Sequence, residues 1–294
     1  MYCHYFGFTE KPFKPTPEPR FLFSTPQHEE ALAAILYTIR ERMGFVAVIG
    51  EPGTGKTTLL RAAINQLDKK TKAAFIFNTE LSFDEILVMV LDDFGLFKPG
   101  EKLTKIDLVH RLNHFAISQM AAGGNVVIML DEAQNLTTKA IEGLRLVSNL
   151  ESEEKKLIQI VISGQSELDK KLAETEHRQF KQRISLKRAL IPLTEDQAQQ
   201  YLQHRLTVAR YSGPPIFPPK TLKLIHEYSG GVPRLINSIC ENALVSAYAL
   251  DKKTVEPSVI EEIAKDLSLS KIAGNGHKRG GWFQRLRGSK RHDG

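Results

Sequence analysis

The chain has 294 residues, 41% of them hydrophobic and 25% charged, the proportions of an ordinary globular protein with material for one or two domains. Its two cysteines, Cys3 and Cys240, are far apart and lack metal-site spacing, which excludes a disulfide framework and indicates a reducing compartment. No apolar run approaches about 18 residues and the N-terminus lacks a signal pattern, so we expect a cytoplasmic chain without a membrane-spanning helix.

A phosphate-binding loop follows the first predicted strand, 45–49, and precedes a predicted helix, 57–68. The loop fits G-x-x-x-x-G-K-[ST] and has the residues Gly50, Glu51, Pro52, Gly53, Thr54, Gly55, Lys56, Thr57 and Thr58. Its glycines allow backbone N–H groups to form a concave nest for phosphate oxygens, at a helix N-terminus that favours anions. We expect Lys56 to face the β- and γ-phosphates of ATP and the Thr57 hydroxyl to bind Mg²⁺.

A second nucleotide motif ends the apolar run 126–130. An uninterrupted apolar run is typical of a strand buried on both faces, and this one leads directly into Asp131 and Glu132. An aspartate at the carboxyl end of such a strand can hold the hydrated Mg²⁺. We expect Asp131 to serve the metal and Glu132 to orient and polarise the attacking water.

Strands and helices alternate along the first two thirds of the chain. The predicted strands are 45–49, 73–78, 126–130, 158–163 and about 186–192, and the predicted helices between them are 27–42, 57–68, 82–94, 104–121 and 137–150. This alternation predicts an α/β fold, a five-stranded parallel sheet covered by helices on both faces.

The chain changes character after about residue 193, where only helices are predicted. They begin with an N-cap at Thr194 and continue near 220–228, 233–249 and 257–267. The predicted domains are therefore an N-terminal segment, an α/β nucleotide-binding core, a small all-helical lid and a basic tail, with the bounds 1–44, 45–193, 194–268 and 269–294.

The tail accounts for the net charge of the chain. Residues 269–294 hold seven Lys and Arg against one acid, which equals the whole formal charge of +6. A formally neutral body argues against a nucleic-acid-binding face on the folded domains. The tail is predicted to be disordered, and Trp282, Phe283 and Leu286 among its basic residues suit contact with an anionic membrane or, nonspecifically, with nucleic acid.

With these motifs in place, the chain resembles the AAA+ ATPases, and within them the general secretion pathway protein A (ExeA-type) family. The resemblance covers residues 1 to about 268. The stretches that carry it are Tyr5-Phe6-Gly7-Phe8, Gln27-His28-Glu29-Glu30-Ala31-Leu32, Asp131-Glu132-Ala133-Gln134-Asn135-Leu136, Leu144-Arg145-Leu146-Val147-Ser148-Asn149-Leu150-Glu151, Gly164-Gln165-Ser166-Glu167-Leu168 and Gly231-Val232-Pro233-Arg234.

The resemblance implies further site residues. Gln165 matches the first sensor position, with Ser163 as the second choice, and Arg234 matches the second sensor, which reaches from the lid to the nucleotide. An arginine finger supplied by a neighbouring subunit is expected just before the fifth strand, where Arg183 is favoured over Arg178. The region of His28 flanks adenine in the family, so His28 is included as a nucleotide contact.

The resemblance also implies partners and leaves two functions open. One is a homo-oligomeric ATPase, cytoplasmic or associated with the membrane, that assembles or regulates a secretion or surface-polymer export machine. The other is a DNA-associated regulator similar to the transposition ATPases, against which the neutral body argues. A scaffold that binds ATP and scarcely hydrolyses it is disfavoured by the intact Lys56, Asp131 and Glu132. Many family members continue into a membrane-spanning and cell-wall-binding region. From the basic tail of this sequence we expect a closer match to the relatives associated with surface-polymer export than to anchored, cell-wall-binding members.

Overall fold

The computed structural model describes residues 1–77, 79–151 and 155–272. The chain divides into a sheet unit, Thr16–Pro192, and a helical unit formed by Met1–Pro15 together with the chain from Leu193 onward. The sequence predicted residues 1–44 as one segment leading into the core. In the structure the first 15 residues group instead with the helical unit.

The sheet unit contains the predicted parallel sheet. Its strands are β1 (Phe45–Gly50), β2 (Thr71–Ile76), β3 (Asn125–Leu130), β4 (Ile158–Gly164) and β5 (Ile184–Leu190). They are hydrogen-bonded in the order β2-β3-β4-β1-β5, and every pairing is parallel. The predicted fold class is thus confirmed.

Both units contain α-helices. In chain order they are α1 (Tyr2–Phe6), α2 (Pro26–Arg40), α3 (Lys56–Asn65), α4 (Phe83–Asp93), α5 (Lys105–Ala121), α6 (Thr138–Val147), α7 (Ser166–Ala173), α8 (Arg178–Lys181), α9 (Glu195–Val208), α10 (Pro219–Ser229), α11 (Pro233–Ala249) and α12 (Pro257–Asp266). The sequence analysis did not anticipate α1, α7 and α8, which are all short.

Burial explains which strands occupy the middle of the sheet. Every residue of β1, β3 and β4 is buried, whereas the two edge strands, β2 and β5, are partly exposed. On one face of the sheet, side chains of the central strands pack against α2 and α3. The buried residues of this cluster include Ala31, Ile35, Val46, Val48, Leu59, Leu60, Val127, Met129 and Val161.

Hydroxyl side chains begin most of the longer helices. Ser82, Thr104 and Thr194 each form a capping box with the residue three positions later. Thr25 and Thr137 accept hydrogen bonds from backbone N–H groups in the first turns of α2 and α6. Each such cap contributes about 1 kcal/mol, so the helix starts are specified locally.

In the helical unit, α10, α11 and α12 pack against one another and α9 packs against α10. Ile236, Ile239 and Cys240 of α11 are fully buried. The N-terminal 15 residues complete this unit. The Tyr2 hydroxyl donates to Glu241 at 2.6 Å, and the buried guanidinium of Arg205 donates to the backbone carbonyls of Pro12 and Lys14 at 2.5 and 3.2 Å.

The chain remains attached to the helical unit as far as Ile272, whose N–H donates to the Glu227 carbonyl at 2.9 Å. The first four residues of the predicted tail therefore belong to this unit, and residues 273–294, with Trp282, Phe283 and Leu286, lie outside the described residues. Among the helices that are described, none has the length and apolar character needed to cross a membrane.

Candidate functional site

The phosphate-binding loop lies between the last residue of β1, Gly50, and the first residue of α3, Lys56. Gly53 and Gly55 have φ values of 80° and 100°, in the left-handed region that glycine adopts without steric cost. These two residues let the backbone turn inward toward the N-terminus of α3, as the sequence predicted.

Gly50 is required for a different reason, the close approach of its neighbours. A Cβ atom at this position would lie 2.8 Å from both the Leu190 carbonyl oxygen and Thr54 Oγ1. The Thr54 hydroxyl is itself fixed, because it donates to the Glu51 carbonyl at 2.8 Å. Any side chain at position 50 would therefore displace the loop or the end of β5.

Lys56 is buried, and its ammonium lies beneath the loop. Its Nζ donates to the Gly50 carbonyl at 2.9 Å and to the Glu51 carbonyl at 3.2 Å. Burial lowers the pKa of Lys56, while the negative charges of Glu132 and Asp131 act in the opposite direction. The lysine thus places a cationic group among acids at the loop, where a phosphate would meet it.

Asp131 is buried directly beyond β3 and accepts hydrogen bonds from two hydroxyls. Thr57 Oγ1 donates to its Oδ2 at 2.5 Å, and Ser163 Oγ, from β4, donates to its Oδ1. The two predicted metal ligands, Thr57 and Asp131, are thus adjacent. Carboxylate and hydroxyl oxygens suit Mg²⁺, so these residues and the glycine cradle fit a Mg²⁺–nucleotide complex.

Glu132 is held by two amide side chains. Its Oε2 accepts from Gln134 Nε2 at 2.6 Å and from Gln165 Nε2 at 3.1 Å. Its backbone has a φ of 51°, uncommon for a residue other than glycine, and its carbonyl accepts from Thr79 Oγ1 at 2.7 Å. The carboxylate is therefore fixed in orientation, and the predicted sensor Gln165 contacts it directly.

Gln134 belongs to the family motif 131–136, but the sequence did not predict a role for it. Besides binding Glu132, it accepts from the backbone N–H of Gln165 at 3.1 Å through Oε1. Lys171 Nζ donates to the Gln134 carbonyl at 2.8 Å and steadies its backbone. Gln134 thus bridges the ends of β3 and β4. The sequence shows an amide side chain two residues beyond Glu132. Its contact with Gln165 could not be predicted, because that contact depends on β4 lying beside β3.

His28 lies beneath the loop rather than on the surface. Its Nε2 is 3.1 Å from the Thr54 carbonyl oxygen and its Nδ1 is 2.7 Å from Thr25 Oγ1. Burial lowers the pKa of His28, which favours the neutral ring. Because the Thr54 carbonyl can only accept, Nε2 carries the proton and Nδ1 accepts from Thr25. His28 thereby ties α2 to the loop, and a contact with nucleotide stays a prediction.

Arg183 lies at the opposite edge of the sheet. It precedes Ile184, which pairs with Phe45 at the start of β1, whereas Leu190 pairs with Gly50 at the loop. Six residues of strand at about 3.3 Å each separate the two edges by about 20 Å. Arg183 is near enough to Glu151 to help lower the pKa of that carboxyl, after the larger effect of Lys156. Arg178 is exposed at the start of α8.

Arg234 belongs to the helical unit, at the beginning of α11. The turn before it requires glycine, because Gly230 and Gly231 have φ values of 58° and 74°, and a Cβ on Gly231 would lie 2.0 Å from the Leu193 carbonyl oxygen. The Arg234 side chain is exposed. Its action on a nucleotide bound in the sheet unit stays a prediction.

Comparison with known proteins agrees with this geometry. A family model described as "AAA domain" matches residues 39–172. The General secretion pathway protein A of Aeromonas hydrophila is 42% identical over 250 residues, which are 85% of this chain. The chain spans only 45% of the length of that relative.

Solved structures with a similar fold are much more distant in sequence. Cdc6p of Pyrobaculum aerophilum gives a TM-score of 0.66 at 20% identity, covering 87% of this chain and 70% of that one. The ORC1 protein of Aeropyrum pernix, solved in complex with DNA, gives 0.65 at 16% identity, covering 84% and 67%. A Walker-type ATPase of Pyrococcus abyssi gives 0.62 at 16% identity, covering 87% and 77%.

The structural matches establish the fold alone, whereas the sequence matches include the loop, the Asp131-Glu132 pair and Gln165. Residues 39–172 are therefore an AAA domain with the nucleotide motifs of an ATPase, and 85% of the chain is similar in sequence to the general secretion pathway protein A.

Proposed function

We propose that this chain binds ATP with Mg²⁺, hydrolyses it as a homo-oligomer, and uses the cycle to assemble or regulate a secretion or surface-polymer export system. The observation that supports the chemistry is the group of buried and partly buried side chains at the carboxyl edge of the sheet. There Lys56, the Thr57–Asp131 pair and the amide-held Glu132 meet within one loop and two strand ends.

Each side chain of this group has a separate task. The loop backbone and Lys56 bind the phosphates, and Thr57 with Asp131 hold the metal, which when bound neutralises phosphate charge. Glu132 orients a water and polarises it, with its carboxylate fixed by Gln134 and Gln165. Transfer to water then requires little movement of protein groups, as expected of a preorganised site.

Oligomerisation is proposed from the position of Arg183. At about 20 Å along the sheet from its own loop, this arginine cannot reach the nucleotide bound in the same subunit. From the amino edge of the sheet, the Arg183 guanidinium can instead enter the nucleotide site of a neighbouring subunit. There an arginine stabilises charge on the transferring phosphoryl group.

The biological setting is proposed from the A. hydrophila relative, whose name refers to general secretion. The free cysteines Cys3 and Cys240 fit a reducing, cytoplasmic compartment. The alternative, a DNA-associated regulator, is kept as an outcome of the test. The A. pernix protein bound to DNA shares only the fold with this chain.

The chemistry is tested by measuring ATP binding and turnover with and without Mg²⁺. Lys56→Ala should weaken ATP binding strongly, because it removes the positive charge that the loop places at the phosphates. Arg61→Ala is the control, since Arg61 lies on the same helix and its guanidinium donates to the Pro17 carbonyl at 3.0 Å. Equal ATP affinity in Lys56→Ala and wild type would contradict the assignment.

The setting is tested by adding duplex DNA or acidic liposomes to the full chain. Under this proposal acidic liposomes bind at low salt through the basic tail, and binding fades as salt rises. Tight, DNA-stimulated turnover without liposome binding would favour the DNA-associated function instead.

A further inference from the structure

A group of acidic and imidazole side chains lies outside the nucleotide site, in the turn between α7 and α8. Glu174 directly follows α7, and a short 3₁₀ turn, Thr175–His177, leads into α8. The carboxylates of Glu174 and Glu176 and the imidazole of His177 each offer a ligand atom, and these atoms lie within 4.8 Å of one another.

His177 distinguishes this turn from an ordinary acidic surface. Its side chain is only 3% exposed, and within the described parts of the chain its Nε2 atom has no hydrogen-bond partner. The nearest carboxylate oxygen, Glu176 Oε1, is 3.2 Å away but is not in a hydrogen-bonding direction. A buried nitrogen that lies beside a carboxylate and makes no hydrogen bond requires an explanation, because such groups are normally satisfied.

A bound cation would satisfy all three groups at once. Nitrogen and oxygen ligands lie about 2.0–2.2 Å from a zinc-like ion, so two ligands of a tetrahedral site are about 3.3 Å apart. The observed separation of His177 Nε2 and Glu176 Oε1, 3.2 Å, matches that spacing. We infer that Glu174, Glu176 and His177 bind a divalent first-row transition metal ion such as Zn²⁺.

The ligand set also predicts selectivity. Imidazole suits Zn²⁺, Ni²⁺ and Co²⁺, whereas Mg²⁺ and Ca²⁺ are bound by oxygen ligands. This site should therefore not bind Mg²⁺, the metal expected to bind with the nucleotide. Two of its ligands are exposed, so the ion would retain water or substrate positions in the manner of an open site.

Neighbouring contacts hold the ligands in place. Thr138 Oγ1, at the start of α6, donates to Glu176 Oε1 at 3.2 Å. On the other side of the turn, Phe180 of α8 packs against Phe45 of β1 with ring centroids 4.8 Å apart. The turn is thus anchored at both ends, and binding an ion would join the end of α7 to the start of α8.

The test uses the full chain without nucleotide. Co²⁺ is titrated while its visible absorption is followed, and Zn²⁺ is then added as a competitor. We expect one equivalent of Co²⁺ that Zn²⁺ displaces and that excess Mg²⁺ does not. Glu176→Gln and Glu174→Gln should each weaken binding at least about tenfold, since even losing an outer-shell partner of a metal site costs that much. These two residues are exposed, so their variants test the site without disturbing the core.

His177→Leu removes the nitrogen while keeping an apolar side chain in the buried position, and it should abolish the visible band. Glu262→Gln, an exposed change in the helical unit, is the matched control and should bind as wild type does. The inference is overturned if Co²⁺ gives no band, or if the three ligand variants bind the ion as tightly as the control. Displacement of Co²⁺ by Mg²⁺ would equally overturn it, since the ion would then occupy Thr57 and Asp131.

Discussion

The two edges of the central sheet differ in how deeply their polar residues are buried. At the carboxyl edge, Lys56, Asp131 and Ser163 are buried and hydrogen-bonded within the chain. At the amino edge, Arg178 is exposed and Arg183 partly exposed beside the start of β5. The polar groups of the carboxyl edge find their partners within one chain, whereas the arginines of the amino edge are open to solvent or to a neighbouring subunit. The proposal that follows from this difference is that each subunit binds ATP and that turnover depends on a second subunit.

The comparison is tested most severely at the amino edge. Arg183→Ala should lower kcat by about 10³-fold and leave ATP affinity unchanged, because a finger acts only on the transition-state charge of a neighbour. Turnover and nucleotide binding are measured over a range of protein concentrations. Lys181→Ala, on the exposed face of α8, is the control, and Arg178→Ala asks whether the second candidate is the finger.

Mixing subunits separates this mechanism from a folding defect. Arg183→Ala keeps an intact nucleotide site and Glu132→Gln keeps an intact arginine, so a mixture should recover part of the activity that each lacks alone. Specific activity that does not change with concentration, in a protein that stays monomeric, would refute a finger in trans.

At the carboxyl edge, the largest loss of turnover is expected from Glu132→Gln. An amide cannot polarise water as a carboxylate does, and such groups contribute about 10²–10⁴-fold to rate. Binding should persist, since Lys56 and the loop are intact, so the variant should retain ATP during rapid gel filtration. Turnover equal to wild type would remove Glu132 from the mechanism.

A smaller effect is expected from Gln134→Ala, which removes the amide that bridges Glu132 and the backbone of Gln165. We expect kcat to fall about tenfold with KM nearly unchanged, since a looser carboxylate costs on the order of 1.4 kcal/mol in the transition state. Asn135→Ala, its exposed neighbour, is the control. A rise in KM alone would show instead that Gln134 supports nucleotide binding.

The smallest effect is expected at His28. His28→Ala should weaken ATP affinity a few-fold by releasing the Thr54 carbonyl, whereas His28→Gln should largely restore it, because a glutamine amide can donate to the same oxygen. Affinities from fluorescent nucleotide titration decide the matter. If alanine and glutamine behave alike, the hydrogen bond to Thr54 is not what His28 provides.

The fold was predictable from sequence mainly where burial is complete. The central strands are apolar runs, interrupted only by Gln159 and Ser163 in the third, so the predicted bounds 45–49, 126–130 and 158–163 agree with the structure within one residue at each end. The edge strands were shifted by two residues, to Thr71–Ile76 and Ile184–Leu190, because exposed faces admit Thr, Lys and Ser and weaken the pattern. The short helices α7 and α8 lack enough turns to show a period.

The candidate site divides in a similar way. The loop and the Asp131-Glu132 pair are contiguous in sequence and were found there. The partners that hold them are not contiguous. Ser163 reaches Asp131, and Gln134 reaches Gln165, only because β4 lies beside β3. No local sequence motif predicts that strand order.

The grouping of residues 1–15 with the helical unit has a practical consequence for dissecting the molecule. The chain crosses between the units twice, after Pro15 and after Pro192, so neither unit is one continuous stretch. An expression fragment beginning at residue 193 would lack Phe13, whose ring lies 6.1 Å from that of Phe217, and would expose the buried Arg205 guanidinium. A workable fragment would carry residues 1–15 fused through a flexible linker to 193–272, in effect an excision of the sheet unit.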